Sequence, residues 1–149
     1  MNIRKANNDD LNEIVRLLSD DKLGSKREDY KIPLPTEYLD AFKEIEEDKN
    51  QFLIVAEDEN KIIGTLQLSF IQYLTYKGGI RAQIEGVRVS NEIRGKGIGR
   101  KMVEYAINIA KDRNAHLIQL TTDKNRPEAL EFYKSLGFVD SHEGMKLHF

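Results

Sequence analysis

Hydrophobic positions along the chain recur with two periods, and the switches between them predict the elements. Asn2 to Lys5 reads as a short first strand. Asn8, followed by Asp9 and Asp10, predicts a helix start, with a capping side chain and then acids at the positive end. Leu11, Ile14, Val15 and Leu18 recur at helical spacing and predict one buried stripe. From Ser19 to Pro35 the pattern dissolves into Asp, Lys, Gly, Ser and two prolines. A segment of that kind is either a solvated linker between helices or a loop that faces a substrate. Thr36, after Pro35, predicts a second helix with Tyr38, Leu39, Phe42 and Ile45 inward and Glu44, Glu46, Glu47 and Asp48 on its solvated side.

The period then shortens to that of a strand. Gln51 to Glu57 reads as a buried strand, Asp58-Glu59-Asn60 as a turn, and Ile62 to Tyr73 as its returning partner. Gly78-Gly79 predicts the next reversal, into Ile80 to Val89, which completes an antiparallel meander. A helix follows with Ile98, Met102, Tyr105, Ala106, Ile109 and Ala110 inward, then a strand from Leu117 to Thr122. The last helix carries Ala129, Phe132, Tyr133 and Leu136 inward and is closed by Gly137 as a C-cap. Phe138-Val139 and Gly144 to His148 suit two final short strands. The passage from Ile80 to Thr122 is a strand–helix–strand crossover, so its two strands should lie parallel. The predicted fold is a mixed α/β sheet, mostly antiparallel with one parallel crossover pair, and helices on both faces.

Composition adds bounds. The 149 residues, 40% hydrophobic and 32% charged, fit one soluble domain spanning 1–149. A formal net charge of -2 is no footprint for nucleic-acid binding. Cys 0 excludes disulfides, thiolate metal sites and a cysteine nucleophile. The three histidines have no metal-ligand spacing, and His142 and His148 read as surface residues. Met1-Asn2-Ile3-Arg4-Lys5 lacks an apolar core of signal-peptide length and no apolar run approaches a membrane span, so the simplest expectation is a cytoplasmic protein.

The chemistry concentrates between Ile84 and Lys101. A β-branched strand meets Gly95, Gly97 and Gly99 at alternate positions and opens into a helix. Glycine is disfavoured in helices by about 1 kcal/mol relative to alanine, so three at a helix start need a reason. Main-chain N–H groups turned toward an anion, reinforced by the helix N-terminus, supply one. Arg94, Lys96, Arg100 and Lys101 bring positive charge to the same place. The spacing is not the dinucleotide fingerprint, whose third glycine falls one place later, and no Gly-Lys precedes Ser or Thr as in the phosphate loop of NTPases.

Arg94-x-x-Gly97-x-Gly99, after a strand and before a helix, resembles the pyrophosphate loop of the GNAT superfamily of acetyl-CoA-dependent N-acetyltransferases. Downstream, the run from Asn125 through Phe132-Tyr133 to Leu136-Gly137-Phe138 matches a second motif of that family, and the element order from Asn2 to His148 is also similar to it. The resemblance implies a GNAT-like fold, acetyl-CoA as acetyl donor, no metal, and transfer to a primary amine by direct attack. The acceptor would be a small-molecule amine or a peptide. Family habit implies a homodimer. The alternative is a non-catalytic acetyl-CoA-binding module that regulates a protein partner.

The resemblance also assigns roles. Arg94, Gly95, Lys96, Gly97, Ile98, Gly99 and Arg100 would cradle the pyrophosphate. Val87 and Val89 would offer main-chain groups to the pantetheine and the thioester carbonyl, and a β-bulge there would free those groups from the ladder. Asn125 with Glu128 forms a capping box by sequence, which explains both without a ligand; the resemblance adds contact between Asn125 and the pantetheine arm. Tyr133 reads as a core tyrosine from its helix face, and as the general acid for the departing thiolate from the resemblance. Glu85 is the one acid in its strand, read either as a general base or as an ion-pair partner of Arg81 or Arg88. An ungapped count against the family would place Gln83 rather than Glu85 at one common site of that base.

Overall fold

The computed structural model describes residues 1–149. In chain order they form β1 (Asn2–Lys5), α1 (Leu11–Ser19), α2 (Gly24–Arg27), α3 (Thr36–Glu47), β2 (Gln51–Asp58), β3 (Lys61–Gln72), α4 (Thr75–Gly78), β4 (Ile80–Val89), α5 (Ile98–Asp112), β5 (Leu117–Leu120) and α6 (Pro127–Lys134). The strands make one sheet in the order β1-β2-β3-β4-β5. β1 through β4 pair antiparallel, and β4 pairs with β5 in parallel through the α5 crossover. The meander and the crossover predicted from the alternation are therefore both present.

Strand alternation divides the apolar side chains between two cores. Ile54, Leu66, Leu68, Ala82 and Ile84 join Met102, Val103 and Ala106 of α5 on one face. Leu53, Val55 and Ile62 join Leu11, Ile14, Val15 and Leu17 of α1 and Phe42 of α3 on the other. Helices thus cover both faces of the sheet. No helix is long and apolar enough to cross a membrane.

Four local expectations give way. Asn7, not Asn8, caps the first turn: its side chain accepts from the Asp9 N–H, and Asp10 reciprocates to the Asn7 N–H in a capping box. Leu39 and Tyr105 lie exposed, because the buried stripes of their helices run through Phe42 and through Met102, Val103, Ala106 and Ala110. The β3–β4 reversal is a left-handed turn, with Tyr76 (φ 53°) and Lys77 (φ 58°) ahead of Gly78 (φ 73°). The two final strands do not form, and the segment after Phe138 runs exposed past the end of β5.

Candidate functional site

Gly95 (φ 80°) and Gly97 (φ 78°) both adopt left-handed backbone, and a Cβ on either would meet nothing within 4 Å. Backbone conformation, not crowding, demands glycine there. Gly99 differs: a Cβ would sit 3.5 Å from Phe132 Cζ and 3.7 Å from Val89 Cγ2, ordinary contact distances that alanine also tolerates. The first α5 bond in this stretch runs from the Lys101 N–H to the Gly97 carbonyl at 3.1 Å, while the N–H groups of Gly97, Ile98, Gly99 and Arg100 have no acceptor in the protein. Four free donors stand at the positive end of a 15-residue helix, beside exposed Arg94, Lys96 and Arg100, an arrangement that favours an anion. Arg100 also donates to Ser135 Oγ at 2.9 Å, tying this loop to the turn that ends α6.

The strand leading into the loop is broken in the way the site requires. Thr65 pairs with Arg88 and Gln67 with Glu85, so Leu66 faces both Gly86 and Val87. This is a β-bulge, with Gly86 (φ 61°) supplying the left-handed residue. One extra residue inverts the side-chain alternation. Gln83, Glu85 and Arg88 therefore share one face, while Val87 and Val89 pack into the α5-side core. The parallel pairing with β5 ends at Ile84–Leu120, so β4 from Glu85 to Val89 has no strand partner on that side. On that side the main chain after the bulge makes no ladder bond, and the Val87 carbonyl accepts from Arg88 Nη1 at 2.9 Å.

Glu85 lies in that opening and is exposed, contrary to the burial expected of a central strand. It pairs with neither Arg81 nor Arg88. Its Oε1 accepts from Gln83 Nε2 at 3.1 Å, and Gln83 Oε1 accepts from Gln119 Nε2 at 2.8 Å. Gln83 and Glu85 are consecutive residues of one face, so the two candidate base positions are linked by a hydrogen bond.

Tyr133 is held from behind. Gly137 (φ 91°) is the C′ residue of a Schellman motif: its N–H donates to the Lys134 carbonyl at 3.0 Å, and the Phe138 N–H donates to the Tyr133 carbonyl at 3.2 Å. The Tyr133 ring meets Phe138 at 5.8 Å and Phe132 at 5.1 Å, both edge to face. Its hydroxyl makes no hydrogen bond within the protein. Burial pushes the phenol above its ordinary pKa, the Arg88 and Arg126 charges pull it back, and Glu85 pushes it up again; the net shift is upward. The hydroxyl therefore carries its proton at neutral pH. The predicted Asn125–Glu128 capping box does not form. Arg126 is the N-cap residue of α6 with no side-chain cap, Pro127 occupies the first turn, and the Asn125 N–H donates to Asp123 Oδ1 at 2.8 Å. Proline favours the first helical position, so the cap falls on Arg126, Asn125 and Glu128 lie outside the N-cap and N3 positions a box needs, and the Asn125 side-chain amide is left free.

A cluster centred on Asp21 was not legible in the sequence. Its Oδ1 accepts from the Leu23 and Gly24 N–H groups at 3.0 and 2.6 Å, and its Oδ2 accepts from Arg126 Nη2 at 2.7 Å. Arg88 Nε lies 3.1 Å from the same Oδ2 as an ion pair, without the alignment of a hydrogen bond. Burial would raise the Asp21 pKa, but the Gly24 N–H and the two arginines outweigh it and hold the carboxyl below the usual range. One carboxylate thus joins the α1–α2 loop, the strand after the bulge and the start of the Tyr133 helix. Positions 21, 88 and 126 carry no spacing signal that would announce this.

The end of the parallel pairing, the bulge beside it and the free helix N–H groups after it lie in one continuous stretch of chain. Residues 12–138 match the model of the acetyltransferase (GNAT) family. The chain belongs to that family. An uncharacterized N-acetyltransferase of Archaeoglobus fulgidus is 28% identical over 91% of this chain and 90% of its own. A crystal structure from Bacillus halodurans, described as a transcriptional regulator, is 57% identical with a TM-score of 0.97 and covers 99% of both chains. A predicted acetyltransferase from Clostridium acetobutylicum, solved with acetyl-CoA, is 30% identical with a TM-score of 0.77, over 99% of this chain and 95% of that one. As a GNAT protein the chain is an acetyl-CoA-dependent acyltransferase. The free N–H groups and the strand split fit that donor, whose long arm and diphosphate need a cleft leading to an anion site.

Proposed function

We propose that the chain, as a single domain, is an N-acetyltransferase that moves an acetyl group from acetyl-CoA to a primary amine, which attacks directly. The observation that supports this is the end of the β4–β5 pairing at Ile84–Leu120, which leaves Glu85 exposed, with the buried Tyr133 phenol near enough to feel its charge. Acetyl-CoA supplies the thioester. The N–H groups from Gly97 to Arg100, in a loop shaped by Gly95 and flanked by Arg94 and Lys96, bind its diphosphate, and the Asn125 amide, free of any cap, reaches the pantetheine arm. Main-chain groups of Val87 and Val89 align that arm, and the Val87 N–H donates to the carbonyl oxygen where negative charge develops. Glu85, directly or through water, takes a proton from the acceptor ammonium, leaving the neutral amine that attacks. Tyr133 donates its hydroxyl proton to the departing sulfur. From ammonium to amide the nitrogen loses two protons: Glu85 passes the first to solvent, and the second, lost as the amide forms, balances the one that Tyr133 gives to sulfur.

The acceptor is a small amine or a peptide, and the location is cytoplasmic. We propose further that the enzyme is a homodimer. Val139, Met145, Leu147 and Phe149 are each at least 78% exposed, and the last three alternate with Lys146 and His148 in a strand pattern. β5 has β4 as its sole strand neighbour. An unpaired strand pattern and an unpaired edge are complementary between two copies. The alternative of a non-catalytic regulatory module has no residue of this chain behind it.

Calorimetric titration with acetyl-CoA, followed by CoA release over an amine panel, tests the reading. Saturable binding and turnover of at least one amine are expected. No binding at millimolar acetyl-CoA overturns it.

A further inference from the structure

Arg81 stands four residues before Glu85 on the same face of β4, ahead of the bulge, with Gln83 between them. Ala82 and Ile84, the intervening residues, point into the α5-side core. Across β3 the three face Ile71, Ser69 and Gln67, and Gln119 of β5 lies beside Gln83. This row is a polar strip of sheet that runs from the candidate base to the β3–β4 turn.

Arg81 is built into its place and given nothing to hold. Its guanidinium carbon lies 4.8 Å from the Tyr73 ring centroid and 5.4 Å from that of Tyr76. Tyr76 in turn stacks on His116 at 4.8 Å and 27°. The left-handed Tyr76 and Lys77 lay that ring over the arginine, and a Cβ on Gly79 would strike His116 Nδ1 at 2.5 Å, so glycine makes room for the stack. Yet Arg81 forms no ion pair, and its Nε is buried without an acceptor. Arg4, Arg16, Arg88, Arg113 and Arg126, the other half-buried arginines, each have a carboxylate or a hydrogen-bond acceptor. A buried donor without a partner costs free energy, and a planar guanidinium clasped by rings offers its edge to a planar, bidentate anion.

We propose that Arg81 is the anion-binding end of the acceptor site, and that the acceptor carries a carboxylate held by Arg81 while its amine lies at Glu85. Four residues of strand span roughly 13 Å between Cα positions. With the guanidinium held by Tyr73 and Tyr76, a hydrogen bond at its edge and another at Glu85 each take up roughly 3 Å of that span, so the acceptor is an extended amino acid of lysine length, free or at the end of a peptide. This rests on the placing of the amine at Glu85.

The test compares 6-aminohexanoate with hexylamine, which differ in the carboxylate, and with β-alanine, which is too short. In wild-type enzyme kcat/KM for 6-aminohexanoate should exceed that for either of the others at least tenfold. Arg81→Gln should collapse that ratio to within twofold of one, through KM for 6-aminohexanoate, and Arg81→Lys should fall between. Acetyl-CoA affinity, measured on the same samples, reports whether the variants fold. Calorimetry of 6-aminohexanoate with CoA-saturated protein gives a second readout that needs no turnover. No preference for the carboxylate in wild type, in rate or in binding, overturns the proposal, as does a preference that survives in Arg81→Gln. Carboxylate-selective binding without turnover of any amine would instead uphold Arg81 and sink the catalytic reading.

Discussion

The Phe138 N–H donates to the Tyr133 carbonyl at 3.2 Å while the two rings meet edge to face at 5.8 Å. The Leu136-Gly137-Phe138 turn thus fixes the phenol from the far side of the helix end. Its geometry depends on Gly137 at φ 91°. Gly137→Ala should cost about 1–2 kcal/mol, the penalty of left-handed backbone for a residue with a Cβ. For a chain of this size each kcal/mol lowers Tm by about 2–4 °C. Thermal unfolding checks the loss, and kcat should fall with it under conditions where the variant is still folded.

The glycines of the loop should separate by conformation. Gly97→Ala opposes φ 78° and should weaken acetyl-CoA binding by roughly 5- to 30-fold, the equivalent of 1–2 kcal/mol. Gly99→Ala, with its Cβ at ordinary contact distance from Phe132 and Val89, should leave the affinity within about twofold. Titration of both variants with acetyl-CoA decides; equal losses would mean that crowding rather than backbone shape sets the loop.

Glu85→Gln removes the group that takes the amine proton. Turnover at pH 7 should fall by about 10²–10⁴. The deficit should shrink as pH rises toward the pKa of the acceptor ammonium, where solvent already supplies free amine. A pH–rate series on both enzymes checks this, and a deficit constant across pH would reduce Glu85 to binding.

Acid should unfold the protein through its paired aspartates. Arg4 grips Asp10 with two bonds of 2.7 and 2.9 Å, and the Asn7 N–H adds a third at 2.8 Å. The Arg4 bond is the largest influence on the Asp10 carboxyl and, over the opposing effect of burial, holds it below the ordinary aspartate range. Asp21 is shifted the same way. A lowered folded pKa gives stability that is present above the unfolded value, about 3.9, and lost as pH falls through the folded value. Denaturant midpoints should therefore drop below about pH 4. Asp10→Asn should be less stable at pH 7 and show a flatter dependence on acid.

Local signals carried far into this molecule. The meander, the crossover, the glycine loop and the Gly137 cap each follow from a few neighbouring residues, and all are present. The departures come from what neighbours cannot report. Asn125 and Glu128 have capping-box spacing, but Pro127 in the first turn puts the cap on Arg126 and both out of register. Met145 to Phe149 has strand alternation, but no strand beside it within this chain. Glu85 is exposed because β5 stops at Leu120, a property of another strand. The Asp21–Arg88–Arg126 cluster joins residues up to 105 positions apart, and Arg81 is distinguished by lacking a partner, which no pattern of residues displays.

The most direct measurement is CoA release by Tyr133→Phe, with acetyl-CoA affinity read on the same sample. Removing the hydroxyl leaves the ring that packs on Phe132 and Phe138, so affinity should stay within about twofold while kcat falls by about 10²-fold or more. Turnover equal to wild type at unchanged affinity would contradict Tyr133 as the acid and, with it, the chemistry assigned to the split between β4 and β5.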